Sequence, residues 1–98
     1  MADEPGAHVY MLRCADGRYY VGSTRKGLDQ RLSEHNNATF DAWTSKRLPV
    51  VIVWAEHFGN ITDAIAVERQ LKGWSRAKKE ALIRGDFDSV RALAKRSK

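Results

Sequence analysis

The chain lacks several features that would fix its class at once. It has a single cysteine, Cys14, which excludes an internal disulfide and any cluster of metal-binding thiolates and fits a reducing, cytoplasmic setting. Its longest apolar run, VVIVWA at residues 50–55, is far too short to cross a membrane. The leading MADEPGA has no apolar stretch of the kind a signal peptide needs. There are no repeats, linkers or low-complexity segments. What is present, 43% hydrophobic and 30% charged residues in a chain of 98, is the composition of an ordinary globular protein. That length suffices for one modest core and is too short for two.

The net charge of +5 is unevenly placed. Residues 1–74 hold nine Lys/Arg and nine Asp/Glu, whereas residues 75–98 hold eight against three, so the whole excess lies in the last quarter. A basic segment on a neutral body points to an anionic polymer as partner. The alternative is a solvated helix face with a basic end.

Residues 8–14 and 18–23 read as strands around a turn at ADG, 15–17. Residues 27–37 have helical spacing and 38–49 look irregular. VVIVWAEHF, 50–58, is the most β-prone run, which predicts a central or core-covering strand. Thr62–Asp63 reads as the start of a helix reaching about Gly73, Ser75 as the cap of another ending at Gly85, and FDSVRALAKR as a last short helix from Asp88. The order ββαβααα predicts an α/β (α+β) sandwich with a small, three-stranded, mostly antiparallel sheet flanked by helices. The expected organisation is a disordered leader at 1–7, one domain at 8–85, and a basic extension at 86–98.

Two helices carry polar groups on faces that should be oily. Leu28, Arg31, Leu32 and His35 share one stripe. Arg31 snorkelling beside a surface His35 is one explanation; a polar niche between helix and sheet is the other. Glu68 lies inside the stripe of Ile61, Ile65 and Leu71. A buried carboxylate needs a cation or a metal, so either it is salt-bridged to Arg69, Lys72 or Arg31, or it enters a polar site. The same violation on two helices points to one shared pocket.

The hairpin decides whether tyrosines join it. A three-residue loop with Gly17 in the left-handed conformation sets residue 14 opposite 18. Tyr10 and Tyr20 then share a face, with Leu12 opposite Tyr20 and Gly22 opposite Tyr10. Gly22, having no side chain, leaves room beside Tyr10.

The ordered set HVYML, YYVGST, RLSEH and AVERQLKGW resembles the GIY-YIG nuclease domain, in its short stand-alone bacterial form, over about residues 8–85. The first triplet here is His8-Val9-Tyr10, with His where the family has Gly. No Asn follows Glu68 at the place where several family nucleases add a polar site residue; Ser75 and Lys79 are the candidates. The resemblance implies a GIY-YIG-like sandwich and a metal-dependent endonuclease acting on nucleic acid, with DNA the expected substrate and repair or recombination the expected setting. It implies catalytic roles for Tyr10, Tyr20, Arg31, His35 and Glu68, with Glu68 the ligand of Mg²⁺ or Mn²⁺.

Those residue types suit the chemistry. A carboxylate is the natural hard-oxygen ligand for such an ion. Arg31 suits bidentate contact with phosphate oxygens. Tyr10 is the expected general base, with Tyr20 and His35 orienting water or relaying its proton. A free phenol, pKa about 10, is ionised about one part in a thousand at pH 7, and lowering that pKa by about two units gains roughly 2.7 kcal/mol. A neighbouring cation supplies such a shift. Arg25, Lys26, Lys46, Arg76, Lys78 and Lys79 are candidate phosphate contacts. Trp54 is the expected core tryptophan, and Trp43 is the one best placed to meet a base. Two other functions stay open: a nucleic-acid-binding module with a degraded site, and a cutting module that needs a protein partner for targeting.

Overall fold

The computed structural model describes residues 6–37 and 42–96, with side chains as far as residue 92. In chain order the elements are β1 (Ala7–Arg13), β2 (Tyr19–Thr24), α1 (Leu28–Asn36), α2 (Ala42–Ser45), β3 (Val51–Phe58), α3 (Ile61–Lys72), α4 (Arg76–Ile83) and α5 (Phe87–Arg96). Of the expected leader at 1–7, residues 1–5 lie outside the described residues, as do residues 38–41 of the irregular segment and 97–98 of the extension, whereas Ala7 already belongs to β1.

The sheet is antiparallel with order β2-β1-β3. Of the two positions expected for residues 50–58, central or core-covering, the central one is corrected: β1 is central and β3 is an edge. The reason is burial on two faces. In β1, Val9 and Met11 face one way and Tyr10 and Leu12 the other, and all four are buried. Such a strand must be covered on both sides. In β3, Val51 is 47% exposed. Its β-branched composition signals a strand and says nothing of its position in the sheet.

The β1–β2 hairpin closes through the three-residue loop. Gly17 has φ of +86°, and its N–H donates to the Cys14 carbonyl at 2.9 Å. The Cys14 N–H donates to the Arg18 carbonyl at 2.8 Å, setting 14 opposite 18. Tyr10 faces Gly22 and Leu12 faces Tyr20, as the spacing predicts.

Each face has its own core. On one, Ala7, Val9, Met11 and Val21 pack against Ala64 and Leu71 of α3 and Leu82 of α4, with Trp54 and Trp74 alongside. On the other, Tyr10, Leu12, Cys14 and Val50 pack with Tyr20 and with Leu28 and Leu32 of α1. Asn36 ties the end of α1 to the entry of β3: the Val50 N–H donates to its Oδ1 at 2.8 Å, and its Nδ2 donates to the Val50 carbonyl at 3.1 Å.

Local capping shifts two of the expected boundaries. Asn60 caps α3, its Oδ1 accepting from the Thr62 N–H at 2.7 Å, so the helix starts ahead of Thr62. Asp86 holds the start of α5, accepting from the Ser89 N–H at 3.1 Å and the Ser89 hydroxyl at 2.7 Å. Ser75 caps α4 as expected, accepting from the Lys78 N–H at 3.2 Å. The one-turn α2 lies in the stretch expected to be irregular.

Candidate active site

Strand alternation puts Tyr10 and Tyr20 on the α1 side of the sheet, their ring centres 6.3 Å apart. His35, from the last turn of α1, packs edge-on to both, at 5.8 Å and 5.1 Å. The Tyr10 hydroxyl lies 2.9 Å from His35 Nε2, and His35 Nδ1 lies 3.0 Å from Thr44 Oγ1 in α2. One ring nitrogen of a neutral imidazole donates and the other accepts, so the proton state of Tyr10 is coupled to Thr44 through the ring. His35 is 0% exposed and Tyr10 1%. The reading of His35 as a surface group does not survive that burial. Gly22 is required here: a Cβ at that position would stand 2.7 Å from the Tyr10 hydroxyl oxygen and 2.9 Å from Tyr20.

Glu68 approaches from the other side. The Ser23 hydroxyl donates to its Oε1 at 2.6 Å, and Lys72 Nζ lies 2.8 Å from Oε2. Burial pushes the Glu68 carboxyl up, but the Lys72 and Ser23 hydrogen bonds and the charges of Lys72 and Arg69 outweigh it and hold the group below the usual carboxylate range. Ser23 alternates away from Tyr20 toward α3. The acid and the phenols therefore meet opposite faces of β2 instead of sharing one cleft, which corrects the single-pocket expectation.

They can still act together because β2 is the sheet's edge, where the two faces join around the rim. A cavity of about 360 Å³ is lined by Ser23, by Arg31 from α1 and by Ile61, Ala64 and Ile65 from α3. Another, of about 210 Å³, is lined by Tyr19, Tyr20, Trp43, Lys72 and Lys79. Arg31 thus reaches the acid's side and Tyr20 reaches Lys72. Arg31 Nε also lies 3.3 Å from Glu34, whose carboxylate is 3.3 Å from Lys26 Nζ.

The candidate phosphate contacts divide. Lys78 is turned inward, its ammonium 4.1 Å from the centre of the Trp74 ring, so burial removes it from that set. Arg76 donates to the Gly17 carbonyl at 2.8 Å, lies over Tyr19 and pairs with Glu80 at 3.2 Å, fastening α4 to the hairpin. Lys79 is half-buried in the Tyr20 cavity, and burial pushes its ammonium pKa down. Arg25 and Lys26 line the cavity that holds Arg31, and Lys46 is exposed beyond α2. Trp43 stacks on Tyr20 with ring centres 6.1 Å apart, and the Arg47 guanidinium sits 4.1 Å from its ring centre.

Ser23, Thr44 and Asn36 went unread in the sequence. Ser23 had a usable signal: it follows Gly22 in a strand whose alternation sends it toward the acid-bearing helix. Thr44 had none, since α2 is too short to show a period.

A match to the GIY-YIG catalytic domain spans residues 6–81. A UPF0213 protein of Halobacterium salinarum is 40% identical over 76 residues, covering 78% of this chain and 97% of that relative. One from Streptococcus pneumoniae serotype 4 is 35% identical over 82 residues, covering 84% and 82%. The solution NMR structure of a UPF0213 protein from Bacillus halodurans superposes with a TM-score of 0.52 at 34% identity, covering 79% of this chain and 81% of that one. That of a protein from E. faecalis gives 0.58 at 30% identity, covering 87% and 90%.

Proposed function

The chain belongs to the GIY-YIG catalytic domain family, a nuclease family, and from that premise we propose that it is a metal-dependent endonuclease hydrolysing phosphodiester bonds of nucleic acid, DNA foremost. The observation that carries this reading is the placement of Tyr20, Arg31 and Glu68 around the rim of one edge strand.

The donor set suits a hard divalent ion. Among the described residues no group of three or more His, Cys, Asp or Glu side chains encloses an ion. Magnesium needs no such cage, since it binds through one or two carboxylates and keeps waters and phosphate oxygens. Glu68 would hold it, with the Ser23 hydroxyl beside it; the half-exposed Lys72 now occupies Oε2 and can swing away. Bound there, Mg²⁺ or Mn²⁺ would neutralise charge on the phosphate and the leaving oxygen.

The chain's own groups do the rest. Arg31 holds the non-bridging oxygens. Tyr10 was the expected base, but it is sealed against His35. The half-buried Tyr20 opens on a cavity with Lys72 and Lys79, which favour negative charge there, and takes the proton from water at its hydroxyl oxygen. Tyr10, His35 and Thr44 fix that ring from behind. The test is a panel of labelled single-stranded, duplex and branched substrates with Mg²⁺ or Mn²⁺. Cutting that stops on chelation and is lost in Tyr20→Phe supports the reading. Binding without cutting leaves a nucleic-acid-binding module in its place.

A further inference from the structure

His8 and His57 take no part in the mechanism above. They face each other directly across β1 and β3, with ring centres 4.9 Å apart, edge to face. With Arg25, Lys26 and Gly27 they line a cavity of about 220 Å³ that, among the described residues, no carboxylate lines. Among the described residues Arg25 makes no ion pair and no side-chain hydrogen bond. Lys26 Nζ is held 3.3 Å from Glu34, which also pairs with Arg31, so one carboxylate serves two cations.

Two imidazoles, a guanidinium and an ammonium converge on this space. An imidazole donates to an oxygen anion in either protonation state that carries an N–H. An apolar ligand would gain little here, and a metal ion at the imidazole pair would be repelled by Arg25 and Lys26. The complement is a compact group with more than one negative charge and several acceptor oxygens. A phosphate monoester carries about −1.5 to −2 near neutral pH, against one charge for an internal diester. The cavity also borders the candidate active site: Arg25 and Lys26 line both it and the cavity that holds Ser23 and Arg31.

We propose that this cavity binds the terminal phosphate of a nucleic-acid strand, so that the enzyme works beside phosphorylated strand ends. The inference rests on the nuclease reading and adds the form of substrate. His8, the residue standing where the family has Gly, then contributes to substrate choice.

The test uses the full chain in chelator, so that no cutting intervenes, and fluorescence anisotropy with one short single-stranded oligonucleotide bearing a 5′-phosphate, a 3′-phosphate or hydroxyl ends. One phosphorylated form is expected to bind about tenfold tighter than the hydroxyl-ended form. His8→Gln, checked for folding by circular dichroism, should remove most of that advantage while leaving hydroxyl-ended binding within about twofold, and Arg25→Gln, at a candidate phosphate contact, should weaken binding of the phosphorylated strand more than that of the hydroxyl-ended one. Imidazole NMR signals of His8 and His57 should move with the phosphorylated strand only. Equal binding of all three strands overturns the proposal. So does competition by inorganic phosphate without any end advantage, which would mark a free-phosphate site. Cutting of internally labelled DNA with Mg²⁺ but no end preference would overturn this inference alone; no cutting of any substrate would overturn the nuclease reading.

Discussion

At the scale of single residues, Gly22 and Thr44 carry the phenol cluster without reacting in it. Gly22→Ala would put a methyl group 2.7 Å from the Tyr10 hydroxyl oxygen, and both tyrosines would have to shift. Denaturant unfolding should show a loss of about 1–3 kcal/mol, the usual cost of overpacking. Thr44→Val keeps the shape and deletes the partner of His35 Nδ1. Losing a buried partner costs about 1–3 kcal/mol, and NMR should report a changed His35 tautomer. Glu68 gives a pH prediction. Its carboxyl is held below the usual range, so its ionised form favours the folded state. That contribution is complete above the ordinary carboxylate pKa and disappears as pH falls through the lowered folded value. Thermal melts should therefore show the wild type losing more stability than Glu68→Gln on acidification below about pH 4.

At the scale of elements, the local chemistry was legible and the competition between elements was not. The hairpin could be read because Gly17 and the three-residue loop fix the register by themselves, and with it the pairing of Tyr10 with Gly22. The Ser75 cap could be read for the same reason. The rank of β3 in the sheet could not, because it depends on which strand is apolar on both faces; β1 answered that, with its tyrosine and leucine facing one core and its valine and methionine the other. The site divides likewise. Its residue types stand in the sequence, but the side of β2 from which Glu68 arrives is set by how α3 crosses the sheet, and it is revealed by the Ser23 contact. The Asn60 cap offers a direct check at this scale. Asn60→Ala should lower stability by about 1 kcal/mol, seen in the urea midpoint, with cutting unchanged because the cap lies two turns from Glu68.

At the scale of the whole molecule, most of the basic side chains described between residues 75 and 92 are engaged within the fold, and those of Lys95, Arg96 and Lys98 lie outside the described residues. Lys78 is buried on Trp74, Arg76 braces the hairpin, Arg84 lies 3.7 Å from Asp86, and Arg91 pairs with Asp88. The cations that line cavities, Arg25, Lys26, Arg31, Lys72 and Lys79, border the β2 rim and both of its faces. Affinity for nucleic acid should fall with salt, and Lys79→Gln should reduce the slope of log K against log salt by about 0.7, the single-strand value for one phosphate. Lys78→Gln should instead leave the slope alone and lower stability, through loss of its packing on Trp74. A metal-dependent cut at this site needs the Glu68 carboxylate as ligand of the ion. The most direct measurement is cleavage of labelled DNA in Mg²⁺ by the wild type and by folded Glu68→Gln. Wild-type cutting that chelation abolishes and the substitution removes is the expected result; full cutting by Glu68→Gln would contradict it.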